Sequence, residues 1–499
     1  MAQNNFRGNL SAKAFPFLSY LFGQSVIING FDQAENNYPQ AYYMHNVVPT
    51  AQGYKSVGFK KVLESSGLSF DRVIPVRDPS MVRGWIGITS AGKVYIYCAG
   101  DLAWTDLTSI VGSWPYNRPV SVAYAGGYTY LCLAGYNVYK VGVAARTITP
   151  VSLAGLQVDK ITAITSSANY LIVTDGVKVY WSSTITAEDF VPSQVTGAGS
   201  GTPADVEGTI VAMVPLSTGF AIYTSVNVVI ASYSQNPRFP FVFRGADNSK
   251  GIADVQHITY GGDDGTNYAW TSAGIQKITI SGAVTVLPEV TDFLAGREYE
   301  YWDVVNSAPV SVTTLTPLKV KMAFVGGRYL VVSYGDGALQ YALVYDTALS
   351  RWGKLKINHV SVFDVDLNSD NSFTSSSSAS AKKTLGVITA DGDIYVCDFD
   401  NPTAASDSII VLGKFQLSRS RMTTLDTITL ENVSNDCAVK LVTTLDGKPS
   451  LITTPALTST VGRTKEYKSR VTGLNHSIAV SGTFQLSSYE LELHVNGRR

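Results

Sequence analysis

One unit returns along most of this chain: a short apolar strand, a turn of Gly, Asn or Asp, an aromatic-led strand, a second tight turn, and a third strand. It reads GWIGITSAGKVYIYCAG at 84–100, VSVAYAGGYTYLCLAGYNVYKV at 120–141 and ITAITSSANYLIVTDGVKVYW at 161–181. Further copies start near 210, 255, 320 and 384, the last as TLGVITADGDIYVCDF at 384–399. A meander of three or four strands has two faces to cover and is marginal alone, so each copy needs neighbours. Stacking such units around an axis covers both faces and leaves only short edges. Tandem copies at this spacing therefore predict an all-β fold, a β-propeller of about six to eight blades. The near-continuous run Tyr128, Tyr130, Leu131, Cys132, Leu133 suits strands covered on both faces. A β-sandwich or two stacked meanders is the competing architecture, because short strands with regular turn signals fit both.

Composition supports a folded β-rich chain and narrows the function classes. Glycine (43) and tyrosine (28) are abundant in 499 residues, while only 15% are charged, and capped helix-period segments are nearly absent. The formal charge of -1 argues against a protein whose main task is gripping phosphates, since non-specific nucleic-acid affinity comes from clustered Lys and Arg. It leaves room for a passive channel. Cys98, Cys132 and Cys397 fall in apolar strands, where a free cysteine acts as a small hydrophobe, so a reduced, intracellular site of synthesis is expected. The apolar stretch from Phe15 to Ile28 lacks the basic n-region and cleavage site of a signal peptide, and no run is long enough to span a bilayer.

Three regions are expected. Residues 1–60 form an extended N-terminal arm, with ENNYPQAYYMHNVVPTAQGYKSVGF at 35–59 rich in Asn, Pro and Tyr. Residues 61–407 form the propeller, whose first strands between 61 and 83 include one able to close the ring on the last blade. Residues 408–499, with longer alternating strands and a hairpin turn at 445–448, form a C-terminal β-sandwich-like domain. The serine-rich tract at 365–382 cannot bury enough apolar surface to order itself and reads as a mobile loop on one rim.

Motifs for chemistry fail on inspection. Asp364, Asp366, Asn368 and Asp370 alternate as calcium ligands do, but Ser369 replaces the required glycine and Ser375 the bidentate glutamate, so a solvated loop is expected. Gly197, Gly199 and Gly201 resemble half of a phosphate cradle without its lysine or helix and read as a flexible connector. His45, His257, His359, His476 and His494 show no metal spacing. Asp263, Asp264, Glu298 and Glu300 could serve a glycosidase built across blades, but nothing singles them out. No catalytic residue, metal ligand or cofactor site is assigned, and the chain is not expected to be an enzyme. Arg463, Lys465, Lys468 and Arg470, with Arg419, Arg421, Arg498 and Arg499, are either a contact for an acidic partner or DNA, or solvated strand faces.

The arm sequence ending in GYKSVGF, the late-blade pattern LVYDTALSRWGKL at 343–355 and the tail SSYELELHV together resemble the tail accessory or nozzle proteins of short-tailed bacteriophages, also described as DNA-stabilisation proteins. The resemblance implies a virion protein of the phage tail, assembled in the host cytoplasm. It implies a homo-oligomeric ring, usually a hexamer, docked below the portal and adaptor proteins, that extends the channel, retains packaged DNA and serves as the conduit for ejection. DNA would pass without sequence-specific binding, and no cofactor or catalytic residue is carried over. A ring of identical copies needs head-to-tail interfaces, which an adhesive arm on a rigid wedge can supply. Tyr38, Pro39, Tyr42, Tyr43 and Tyr54 are the candidate partner-interface residues; the competing expectation is that they pack on their own propeller. The alternative function is a carbohydrate-binding or glycoside-cleaving propeller.

Overall fold

The computed structural model describes residues 41–495 apart from 51–52, 66, 79–81, 237–238, 262–264, 288–298, 304–307, 313–318, 336–337, 368–381, 398–406, 416–421, 432–436 and 446–450. Described elements are nearly all strands, with one four-residue α-helix at Thr108–Val111.

Each copy of the repeat becomes one antiparallel sheet. Blade one consists of Phe70–Arg77, Arg83–Thr89, Val94–Cys98 and Thr105–Asp106, and blades two to five repeat the meander over 120–150, 163–201, 210–245 and 258–287. Blade six runs from Lys319 to His359. Blade seven takes three strands from 361–397 and its fourth, Phe59–Leu63, from the start of the described chain. The closing strand expected between 61 and 83 thus begins at Phe59 and pairs with Ile394–Cys397, Phe59 opposite Cys397.

The blades form a closed ring. Among the described residues seven apolar clusters each join two consecutive blades, and one of them joins blade seven to blade one through Leu63, Phe363, Val365 and Ile394 against Phe70, Trp85 and Tyr97. Alternate side chains of a strand point to opposite faces. In blade two, Leu131 and Leu133 therefore join the core shared with blade one, while Tyr130 and Cys132 join that shared with blade three. In blade four, Phe220 and Ile222 face blade three, and Ala221 and Tyr223 face blade five. Both faces of every inner strand meet a neighbour, which is why these strands read as unbroken apolar runs. Cys98, Cys132 and Cys397 are buried and free of disulfides.

The C-terminal strands form two facing sheets. One contains Ile409–Phe415, Asn475–Gly482, Cys437–Thr444 and Leu451–Thr453; the other contains Ala456–Val461, Thr464–Gly473, Thr423–Glu431 and Ser488–Val495. Leu425, Ile428 and Leu430 of the second meet Ile410, Leu412, Val439, Leu441, Ile478 and Val480 of the first in one core. Buried His476 links the sheets, one ring nitrogen 3.1 Å from the Thr443 hydroxyl and the other 3.1 Å from Thr423.

Candidate functional site

The arm joins the two domains strand by strand. Ala41–His45 pairs with Ile409–Phe415 of the sandwich, the hairpin Val47–Thr50 and Gly53–Ser56 extends blade six beyond Arg351–His359, and Phe59–Leu63 completes blade seven. Gln485–Leu486 then pairs back on Tyr54 and Lys55. Gly53 is required here by a close approach: a Cβ on it would lie 2.1 Å from the Leu486 carbonyl oxygen.

Asn46 is the pivot of this junction. Its backbone is left-handed (φ 51°), a conformation Asn tolerates better than most residues. Its amide nitrogen donates to Asp407 at 3.0 Å, its amide oxygen accepts from the Lys356 N–H at 2.9 Å, and its carbonyl accepts from the Val57 N–H at 2.9 Å. Ser56 and Phe484 share three further bonds: the Ser56 hydroxyl and N–H donate to the Phe484 carbonyl at 3.1 and 2.9 Å, and the Phe484 N–H donates to the Ser56 hydroxyl at 2.9 Å. Nearby, His45 lies 3.5 Å from Asp407; burial lowers its pKa, with the carboxylate opposing.

Tyr54 is 1% exposed and sits in the core with Leu486, Phe484 and Trp352. Its assignment to a partner interface is therefore corrected: the ring is consumed by the chain's own packing. Tyr42 and Tyr43 lie in a strand bonded to the sandwich, but their side chains, like Tyr38 and Pro39 entirely, lie outside the described residues.

The ring seam carries the most unusual charged group. Lys321, on the first strand of blade six (Lys319–Val325), points its ammonium at the Val73 carbonyl of blade one (3.3 Å), the Val360 carbonyl (3.2 Å) and the Ser361 hydroxyl of blade seven (3.2 Å). All three N–H bonds find acceptors, so one side chain spans three blades where the ring closes. Burial brings its pKa down to about 7, helped by the positive charge of Arg72. Arg72 itself donates to the Arg118 carbonyl, and Arg77 stacks 4.5 Å over the Tyr124 ring. Arg83 pairs with Asp364 at 3.1 Å across the seam of blades seven and one.

Lys321 gives a prediction with a definite sign. Because the folded chain releases its proton near pH 7 and the unfolded chain near 10.5, the folded form binds fewer protons between those values, so stability rises with pH there. Chemical denaturation of the wild type and Lys321→Met across pH 7–10 is expected to show the wild type gaining on the variant as pH increases. Parallel curves would contradict the assignment.

His359 carries the same sign at lower pH. Its Nδ1 lies 2.7 Å from the Ile357 carbonyl and so donates, leaving Nε2 to accept from the Ser333 hydroxyl at 2.8 Å. Burial holds its pKa down at about 4. Stability is retained above the unfolded value of 6.5 and lost as pH falls toward 4, by about 3 kcal/mol for a shift of this size. His359→Gln is expected to flatten this acid limb in urea titrations at pH 4–7.

Asp364 and Asp366 belong to the strand Ser361–Leu367 rather than to a solvated loop, and Asp364 accepts from Gly326 N–H at 2.9 Å besides Arg83, so its oxygens are engaged within the fold. Asn368, Asp370 and the serine tract lie outside the described residues. Gly199–Gly201 is not a connector but the fourth strand of blade three, paired with Val179–Trp181. A Cβ at Gly199 would sit 3.1 Å from the Trp181 indole nitrogen, so the glycine lets that ring lie against the backbone. Asp263, Asp264 and Glu298 are outside the described residues, and so is the side chain of Glu300. Lys465 is buried, whereas Arg463, Lys468 and Arg470 are exposed, Arg470 lying 3.5 Å from Asp426. Among the described residues no three His, Cys, Asp or Glu side chains are grouped to hold a metal ion, and no helix is long and apolar enough to cross a membrane.

No protein-family model and no curated protein matches this chain. Among solved structures it is similar to YCF48 bound to a D1 peptide, at 10% identity over 70% of this chain and 97% of that one, with a TM-score of 0.39. It is also similar to the WD40 repeats of RRP9, at 8% identity over 77% of this chain and 95% of that one, with a TM-score of 0.38. The chain is a β-propeller carrying a C-terminal β-sandwich.

Proposed function

We propose that this protein is a structural component of a phage tail, a nozzle subunit that assembles into a ring below the portal and adaptor proteins and conducts DNA. The observation that carries the reading is the threading of residues 41–63 through the sandwich, blade six and blade seven in turn. With the shared core that contains Tyr54, Trp352, Leu425 and Ile478, it welds propeller and sandwich into one block. A rigid two-part wedge is what a closed ring of identical copies requires, because hinge freedom between its parts would let the closing angle drift. The order of arm, propeller and sandwich is the one that the resemblance to nozzle proteins implies.

The test is co-sedimentation of the full chain with purified portal–adaptor assemblies, beside an assay for glycan release. Binding to the connector without sugar turnover is the expected result. A chain that ignores the connector and cleaves or binds glycans would replace this reading with the carbohydrate one.

A further inference from the structure

The second sheet of the sandwich has two edges without a described neighbour. In the sheet ordered Ala456–Val461, Thr464–Gly473, Thr423–Glu431, Ser488–Val495, the first and last strands have no described neighbour on their outer sides. All six residues of Ala456–Val461 are exposed, so neither face of this strand is covered by the facing sheet. Leu457 is 53% exposed and Val461 74%. The segment ALTSTV contains no charge and no proline, two of the devices by which soluble proteins blunt an edge. Its one irregularity is the bulge at Thr458, whose hydroxyl donates to the Glu466 carbonyl at 3.2 Å.

We propose that Ala456–Val461 docks on Ser488–Val495 of a second copy, continuing the sheet from one subunit into the next. The geometry favours this occupant. Every pairing in the sheet is antiparallel and the strands number four, so the two edges run in opposite directions. A copy placed alongside in the same orientation therefore meets the edge antiparallel, and each addition leaves the same two edges free. That is a head-to-tail interface, the kind that closes rings. The lengths are compatible, six residues against eight. Elsewhere the chain already closes edges by strand addition, at Phe59–Leu63 and at Gln485–Leu486. The proposal rests on the ring reading above and names the contact through which the ring would form.

The test compares the full-length wild type with the double variant Leu457→Lys, Val461→Lys, both sites being exposed enough to leave the monomer folded. Assembly is followed by mass photometry, and amide exchange is followed at 456–461 and 488–495. The proposal expects slowed exchange in both segments on assembly, and a variant of unchanged circular dichroism and melting whose half-assembly concentration rises about tenfold or more, by loss of cross-strand pairs and added edge charge. Rings formed equally by both proteins would overturn the strand contact and leave the ring reading standing. A wild type that stays monomeric and ignores the connector would overturn both. A two-copy particle lost in the variant, with exchange slowed only at 456–461, would mean the edge pairs with itself and would overturn the head-to-tail arrangement.

Discussion

A chain beginning at residue 64 is expected to accumulate as insoluble protein. The truncation removes Met44, Val47, Val48, Tyr54, Val57 and Leu63, all buried apolar side chains. At about 1.5–3 kcal/mol each, their loss is on the order of 10 kcal/mol, as large as the whole stability of a typical domain. The damage is also spread over three sheets. Blade seven would expose the edge of Ile394–Cys397, blade six would lose its added hairpin, and the sandwich would lose Ala41–His45. Soluble yield and far-ultraviolet circular dichroism report the outcome, and co-expression of residues 1–63 as a separate fragment is expected to restore part of the soluble protein. A truncated chain that melts cooperatively at the wild-type temperature would show that the ring does not depend on its closing strand.

Asp346→Ala is expected to cost about 2–3 kcal/mol, because it leaves the Ala348 and Leu349 N–H groups without their acceptor, while the partner Arg328, 39% exposed, can turn to water. Asp346 is 0% exposed. One oxygen accepts from the Ala348 and Leu349 N–H groups at 3.0 and 3.1 Å and from Arg328 Nε at 2.8 Å, and the other meets Arg328 Nη2 at 2.6 Å. These bonds shape the turn between Leu339–Asp346 and Arg351–His359 and place Trp352 against Tyr345, ring centroids 4.7 Å apart. Trp352 is 1% exposed in the core that continues into the sandwich, so a loosened turn is felt in both domains. Asp346→Asn keeps an acceptor for the two turn amides and is expected to lose less than the alanine variant. Urea unfolding of the three proteins measures the difference; an alanine variant within about 0.5 kcal/mol of wild type, the range of ordinary surface substitutions, would contradict this role.

The pattern LVYDTALSRW thus has a physical cause within one blade, the Asp346 turn and the Trp352 anchor, which is why it reads so clearly in the sequence. The blades were legible for the same reason. Their turn chemistry and apolar runs are local, and an inner strand such as Phe220, Ala221, Ile222, Tyr223 must be apolar at every position because each face meets a different neighbour. What depends on distant partners was not legible. Tyr54 looks like an adhesive surface residue until Leu486, more than four hundred positions away, is brought against it. The glycines at 199–201 look like a linker until Trp181 is laid over them. Lys321 is a lone lysine in VKMAFV, and nothing local announces acceptors on blades one and seven. The four strands of the open-edged sheet also come from separated stretches between 423 and 495, so its free edges appear only after pairing is known.

Averaged electron-microscope images of the purified full-length protein, alone and on portal–adaptor rings, test the central claim most directly. Closed rings of copies in one orientation, with the propellers set side by side around a lumen, are the predicted result. A field of single particles at every concentration, neither closing on one another nor seated on the connector, would contradict it.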